Sequence, residues 1–409
     1  MRPIRIASIV SLAPLLVALS AAAQTSPYYI GASVSGNSQS NVLQQPHPTA
    51  GADHVYAASL LAGLDQTIGR QRLFGSATLS DNRYQRNQQL DNLSFSANGG
   101  LDWSTVGNLS GRIEMTGSRS LAPFNPGNRP DLSDKNIVST RDFRASARWG
   151  IAQPYAIEAK VNHSTVDYSH PLYKPYDYFQ TNVSLGLMYR AGPSLLLGLA
   201  PRLTRSGTPS YLNDNGIFSS NVPEVRFRRR DIDLTLQWTP SPKSNFDARL
   251  SRGRSNQVGI DLGQDFGGYS GNANWYWKPL ASLTVTSIYA RDSGQYVQGY
   301  NSIFGPVIGD SNSISNRFAS RIEYAATAKL SFGLNLSRVS RHFENGVNGV
   351  VLATGSDRTK SASLGAAWAV TRSIQLGCNA GRESRSGQSA FSQPYSSRSY
   401  GCYAQGTLR

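Results

Sequence analysis

The sequence predicts an all-β fold, a transmembrane antiparallel up-and-down β-barrel of about eighteen strands. Three observations predict it. Apolar and polar residues alternate over segments of about ten residues; tight turns and long polar connections take turns between those segments; and all six Trp stand beside a tight turn with one parity. The alternation is plainest where Leu93, Phe95, Ala97, Gly99, Leu101 and Trp103 interleave with Ser94, Ser96, Asn98, Gly100, Asp102 and Ser104. A period of two gives a strand one apolar and one wet face. After a break at 105–108 the pattern resumes, with Leu109, Gly111, Ile113 and Met115 on one face and Ser110, Arg112, Glu114 and Thr116 on the other, which makes a hairpin.

Taken in order, the chain opens with Arg2 and Arg5, an apolar run from Ile6 to Leu19, and Ala21-Ala22-Ala23. This is the pattern of a cleavable secretory signal over 1–23, so the mature chain is expected to begin at Gln24. The remainder, 24–409, has no composition shift or linker and reads as one domain. The mean hydropathy of the whole chain is −0.35, and no second apolar run is long enough for a membrane helix. With 38 Gly, 20 Tyr and only 16 % charged residues, the composition suits strands and turns rather than helices. The net charge of +15 falls to +13 once Arg2 and Arg5 leave with the signal. Such a basic exported chain is expected to meet outer-membrane lipid, lipopolysaccharide or acidic polysaccharide, and not nucleic acid.

Outward residues can be named strand by strand. Tyr28, Ile30, Ala32 and Val34 begin the series; Tyr56, Ala58, Leu60 and Leu64 follow, then Leu73, Ala77 and Leu79, then the hairpin above. Phe143 to Trp149 answers Tyr155 to Val161, Val183 to Tyr189 answers Leu195 to Leu203, and Ile232 to Trp238 answers Phe246 to Leu250. Ala273 to Trp277 answers Leu283 to Tyr289, Ile322 to Ala326 answers Phe332 to Leu336, and Ala362 to Trp368 answers Ile374 to Ala380. Tyr400 to Leu408 closes the series at eighteen, an even number as single-chain outer-membrane barrels have. Short connections belong on the periplasmic side. Long ones, at 41–54, 120–136, 167–177, 206–224, 256–268, 292–316, 344–360 and 383–397, are expected outside, with one short exception at 87–92.

Trp103, Trp149, Trp238, Trp275, Trp277 and Trp368 all lie within a few residues of a short turn and share outward parity. They predict a periplasmic aromatic girdle, where an amphipathic ring is most stable. The opposite parity carries the charges: Asp102, Arg112, Glu114, Arg144, Arg148, Glu158, Lys160, Arg190, Arg202, Asp233, Asp247, Arg249, Arg321 and Glu323. A dry apolar core would not accept so many, so the lumen is expected to be a wet channel or a plugged, hydrogen-bonded interior, net basic in sum. With Trp238 opposite Ser244, Asp233 is expected to face Arg249, and Asp102 to sit diagonal to Arg112.

Arg228, Arg230, Arg252 and Arg254 instead share the outward parity of Ile232 and Leu250. At about 2.4 Å of height per tilted residue, Arg230 lies roughly 19 Å above Trp238, near the edge of an apolar band about 25 Å tall, where lipopolysaccharide phosphates would meet it. Cys378 and Cys402 also point outward on the last two strands. If Leu376 faces Ala404 they are directly opposite, and an oxidising compartment makes a disulfide of them.

Nothing in the sequence points to an enzyme, a cofactor or a metal. The His residues, at 47, 54, 163, 170 and 342, lie mostly in or near connections. Asn162-His163-Ser164 is superficially like a membrane phospholipase site, but His163 and Ser164 have opposite parity, so base and nucleophile would point apart.

The run Arg70-Gln71-Arg72-Leu73-Phe74, with Asn82-Arg83-Tyr84, Leu90-Asp91-Asn92, Gly100-Leu101-Asp102-Trp103 and Leu109-Ser110-Gly111, resembles the EpsL-type barrels of bacterial exopolysaccharide operons. The match covers residues 55–125; beyond it only the hairpin rhythm agrees. The resemblance implies a barrel that takes part in exopolysaccharide export, with secreted polysaccharide and periplasmic export components as partners. The residues by themselves also leave open a general or sugar-selective porin and a closed barrel acting as an anchor or scaffold.

Overall fold

The chain alternates so regularly that nearly every apolar stretch pairs edge to edge with the next. In the computed structural model, which describes residues 26–49, 51–125, 133–150, 153–214, 219–258, 266–302, 305–347, 350–387 and 392–408, the strands are as follows. They are β1 (Tyr28–Gln39), β2 (Asp53–Ile68), β3 (Gln71–Tyr84), β4 (Asn92–Ser104), β5 (Leu109–Leu121), β6 (Ile137–Trp149), β7 (Tyr155–Tyr168), β8 (Tyr178–Gly192), β9 (Leu195–Thr208), β10 (Tyr211–Asp214), β11 (Ser219–Val222), β12 (Val225–Ser241), β13 (Ser244–Val258), β14 (Phe266–Leu280), β15 (Leu283–Ser302), β16 (Gly305–Ala325), β17 (Leu330–Val347), β18 (Val350–Ala369), β19 (Ile374–Ser386) and β20 (Tyr395–Leu408). The signal segment expected over 1–23 lies outside the described residues.

Eighteen of these form one closed antiparallel sheet; β10 and β11 make a separate small hairpin. Each wall strand pairs with its neighbour in the chain, β9 passes to β12, and β20 returns to β1 with Ile30 opposite Leu408. Closure removes every free edge, which is what a sheet in lipid requires.

The apolar side of the sheet faces out. Leu60, Leu185 and Leu234 are each more than half exposed, as are outward residues on most strands, while the fully buried set is dominated by Gln180, Thr204, Ser251, Ser270, Asp53 and Arg229. A water-soluble protein does not expose a continuous apolar belt of this kind, so the belt is a lipid contact. No helix among the described residues is long and apolar enough to cross a membrane; crossing is by strands. The fold is that of an outer-membrane β-barrel.

Two expectations about the outer end are corrected. Segments 292–316 and 344–360 are not loops: β15 and β16 pair up to Ser302 opposite Gly305, and β17 and β18 up to Val347 opposite Val350. At about 2.4 Å per residue, strands of 18 to 21 residues overrun a band about 25 Å tall, so these hairpins stand clear of the membrane. The sequence also offers Tyr296, Tyr300 and Phe304 as an inward-folded constriction, a sugar-stacking surface or a cover of the mouth; Tyr296 and Tyr300 lie on β15, and Phe304 lies outside the described residues.

The register of β12 on β13 is also corrected. Trp238 pairs with Phe246, not Ser244, because a bulge separates Trp238 from Ser241 and the turn proper is Pro242-Lys243. Pro240 sits in that bulge, where its missing N–H breaks the ladder at no further cost. The same irregularity, with Pro279, separates Trp277 from Leu280 on β14.

Candidate functional site

The barrel interior is the candidate site, and its wall is built from side chains that the pleat points inward. At the short-turn end, Asp102 and Arg112 are directly opposite, not diagonal, and bind each other through two hydrogen bonds, Arg112 Nη2 donating to Asp102 Oδ2 at 2.9 Å. Arg72 on β3 donates Nε to Asp65 Oδ1 at 2.7 Å and lies 3.7 Å from Asp102. Phe74 lies flat over Gly100, where a Cβ would clash with its ring, and carries the guanidinium groups of Arg72 and Arg112, each 5.5 Å from the ring centre. Tyr29 lies likewise over Gly63. Together Tyr29, Asp65, Arg72, Phe74, Ser76 and Asn98 line a cleft of about 670 Å³.

The belt of pairs continues around the wall. Arg144 stands opposite Glu114 at 3.9 Å, Arg148 donates to Glu158 at 2.7 Å, and Lys160 bridges the same Glu158. Arg321 and Glu323 pair two residues apart on β16, with Nε donating at 2.8 Å. Arg190 and Asp247 have lumen parity too, Asp247 accepting from Asn245 at 3.1 Å. The half-exposed pairs contribute little stability, about 0–1 kcal/mol each. Their consequence is a wetted surface of alternating sign.

Higher up, the interior is dry. Asp233 does not stand directly opposite Arg249; the shifted register puts it opposite Ser251, and Arg249 opposite Thr235. Asp233 accepts instead from Arg202 across β9, at 2.7 and 3.0 Å. Arg202 also reaches Asp231 at 3.3 Å, and Arg229 donates to Asp231 at 2.7 Å and to Ser293 of β15 at 3.2 Å. All four charged groups are buried. A second buried cluster joins Arg341 to Asp357 at 2.6 Å and sets Arg385 beside Asp357 at 3.9 Å. Arg229 stands out in the sequence only as part of a basic run with Arg226, Arg228 and Arg230, and Asp231, Arg341, Asp357 and Arg385 do not stand out at all, although each continues the inward parity of its strand.

The outer opening is crossed by the chain itself. Asn125, between β5 and β6, donates to the carbonyl of Gln44 at 3.0 Å and of Gln393 at 3.3 Å, and its side-chain oxygen accepts from Arg385 at 2.7 Å. Arg385 stands on β19, six strands away around the barrel, so this contact spans the mouth. Asn136 accepts from the backbone of His170 at 3.1 Å, and Ala122 and Val138 pack on Tyr168 and Tyr173. The 3₁₀ turn Pro171–Tyr176 and the β10–β11 hairpin touch each other and β15. Asp177, which ends that turn, accepts from the Tyr168 amide at 2.6 Å, and burial pushes its carboxyl above the usual range. A smaller cleft of about 260 Å³ lies among these segments, lined by Gln44, Phe124, Asn125 and Gln393.

On the outside, Trp149, Trp238, Trp275, Trp277 and Trp368 are exposed beside the short turns, and Trp103 lies over Gly111 in the same row. Trp275 stacks on Trp277 with ring centres 5.3 Å apart. Arg228, Arg230, Arg252 and Arg254 point outward with Ile232 and Leu250. Cys378 is opposite Cys402, with Leu376 opposite Ala404, and the two are joined by a disulfide with Cα atoms 4.0 Å apart. His163 faces out, bonded to Thr181 at 2.9 Å, while Ser164 faces in, donating to Asp142 at 2.8 Å; the two do not form a site. No group of three or more potential metal ligands occurs among the described residues.

The interior thus defines a class: an outer-membrane β-barrel with a polar, ion-paired lumen. No protein-family model and no curated protein matches the sequence. Among solved structures, the chain is similar to the outer membrane protein OpdK from Pseudomonas aeruginosa, at 12 % identity and a TM-score of 0.45 over 93 % of this chain and 99 % of that one. It is similar to the siderophore receptor PiuA from Acinetobacter baumannii, at 8 % identity and a TM-score of 0.44 over 94 % and 82 %. A bacterial polysaccharide outer membrane secretin aligns at 11 % identity and a TM-score of 0.32 over 93 % and 98 %.

Proposed function

We propose that this barrel passes a secreted polysaccharide across the outer membrane and that its own loops hold the outer mouth shut at rest. The observation that carries the reading is the bridge from Asn125 to Arg385, Gln44 and Gln393, which ties three separate connections together over the opening. Below it, the inner half of the wall presents paired Arg, Asp and Glu with Tyr29 and Phe74 flat against glycines. A hydroxyl-rich polymer can exchange hydrogen bonds along such a wall without meeting one deep well, the condition for passage rather than capture. The resemblance of residues 55–125 to EpsL-type barrels supplies the polymer class. A second reading, a closed scaffold, is favoured by the dry cluster of Arg202, Arg229, Asp231 and Asp233.

Planar-bilayer conductance of the purified barrel separates the readings. The gated conduit is expected to be silent as wild type and to open when Asn125→Ala and Arg385→Ala are combined. Steady large openings of the wild type would make it a porin, and silence of the double variant would favour the scaffold. A deletion strain is expected to lose surface polysaccharide; full display without the barrel would sink export.

A further inference from the structure

The outer surface carries a charge cluster that the conduit does not use. Arg205 on β9 stands directly opposite Arg228 on β12, and Arg230 follows two residues along the same face. All three are exposed on the lipid side of the wall. On the other flank Arg230 is opposite Arg254 and Ile232 is opposite Arg252, whose guanidinium lies 5.4 Å from the ring centre of Tyr269.

Like charges directly opposite in an antiparallel pair stand about 4.5–5.5 Å apart at Cβ and destabilise the ladder. Something must offset that repulsion, and the neighbours on the sheet do not. The cross-strand partners on this face are Thr181 beside Arg205, Leu203 beside Arg230 and Asn256 beside Arg228. Asp231 and Asp233 lie on the same strand but point inward, where Arg202 and Arg229 take them. Glu224 is held by Arg226 at 2.7 Å. Among the described residues, the side chains of Arg205, Arg228 and Arg230 make no hydrogen bond or ion pair with protein.

The cluster sits where the apolar band stops. Immediately below it on the same face come Leu203, Leu199, Ile232, Leu234 and Leu250, all exposed. A ligand that fits both parts is an amphiphile with acyl chains for the leucines and an anionic head for the guanidinium groups. Phosphate suits Arg better than a carboxylate in number of acceptors and charge, and arginine binds it with paired N–H donors. We propose that Arg205, Arg228 and Arg230 form a binding site for the phosphate groups of an anionic outer-leaflet lipid, with Arg252 and Arg254 at its margin. The chemistry is that of a phosphorylated glycolipid such as lipid A. The site is independent of what passes through the lumen.

The test uses the full-length barrel purified in neutral detergent and titrated with bis-phosphorylated lipid A, dephosphorylated lipid A and inorganic phosphate, with bound lipid counted by native mass spectrometry. Bis-phosphorylated lipid A is expected to bind about tenfold or more tightly than the dephosphorylated form. The triple variant Arg205→Gln, Arg228→Gln, Arg230→Gln is expected to lose that preference, and the matching triple lysine variant to keep most of it. Equal binding of the two lipids, an unchanged glutamine variant, or inorganic phosphate binding as tightly as the lipid would each overturn the assignment. Retained heat-modifiable migration shows that a variant is folded; if the glutamine variant does not fold, the two lipids on the wild type still decide.

Discussion

Burial separates residues that look alike in the sequence. Asp65 and Asp233 each accept two bonds from one arginine, but the Asp65–Arg72 pair is half exposed and the Asp233–Arg202 pair is buried. Exposed pairs are screened and contribute at most about 1 kcal/mol, whereas removing one partner of a buried pair strands the other and costs about 3–5 kcal/mol. Asp233→Ala is therefore expected to lower the temperature at which the barrel loses its folded migration on a gel, and Asp65→Asn to leave it nearly unchanged; equal effects would refute the dry-cluster description. The disulfide makes a separate expectation. Non-reducing mass spectrometry of the mature protein should find it two hydrogens lighter than after reduction, and replacing both Cys378 and Cys402 with Ser should cost up to about 3 kcal/mol for the loop they close. Two free thiols would contradict the pairing.

Elements differ in how far the sequence announces them. Strand existence and parity were legible because each wall strand has one lipid face, where polar side chains are costly toward the midplane; Trp103, Trp149 and Trp368 mark one end as clearly as a turn does. Register was not legible at β12–β13, since a bulge at Pro240 moves every partner while leaving parity untouched, so Asp233 could be placed inside but not matched to Arg202. The outer ends of β15 to β18 were hidden for another reason: beyond the membrane both faces meet water, and the alternation that identifies a strand is lost. One short connection shows how a loop is fixed without periodicity. Asp53, at the outer end of β2, accepts from the backbone N–H groups of His54, Arg86 and Asn87 at 2.7, 2.9 and 2.9 Å and from the Asn87 side chain at 2.8 Å. Its removal leaves donors unsatisfied at about 1–3 kcal/mol apiece. Asp53→Ala should speed hydrogen exchange over 85–91 by at least about tenfold while the barrel stays folded; unchanged protection there would show that the turn stands without it.

At the scale of the whole molecule, the candidate lumen was only half readable. Its charged wall follows from parity, as at Arg148 and Glu158, but the bridge over its mouth does not, because Asn125 and Arg385 are 260 residues apart and lie in no repeating pattern. What parity and turn length together predict is orientation. The six Trp occupy the short-turn end alone, where an interfacial ring is stable, and short turns lie on the periplasmic side of outer-membrane barrels. The loops that meet over the mouth then face the outside, as the proposed gate requires. Val106 is the tip of a short turn and almost fully exposed, and Thr49 is an exposed residue of the opposite end. An epitope inserted after Thr49 should be labelled by antibody on intact cells, while the same epitope after Val106 should be labelled only once the outer membrane is permeabilised. The inverse pattern would turn the barrel over, and with it the lipid leaflet that the arginines of β9 and β12 can reach.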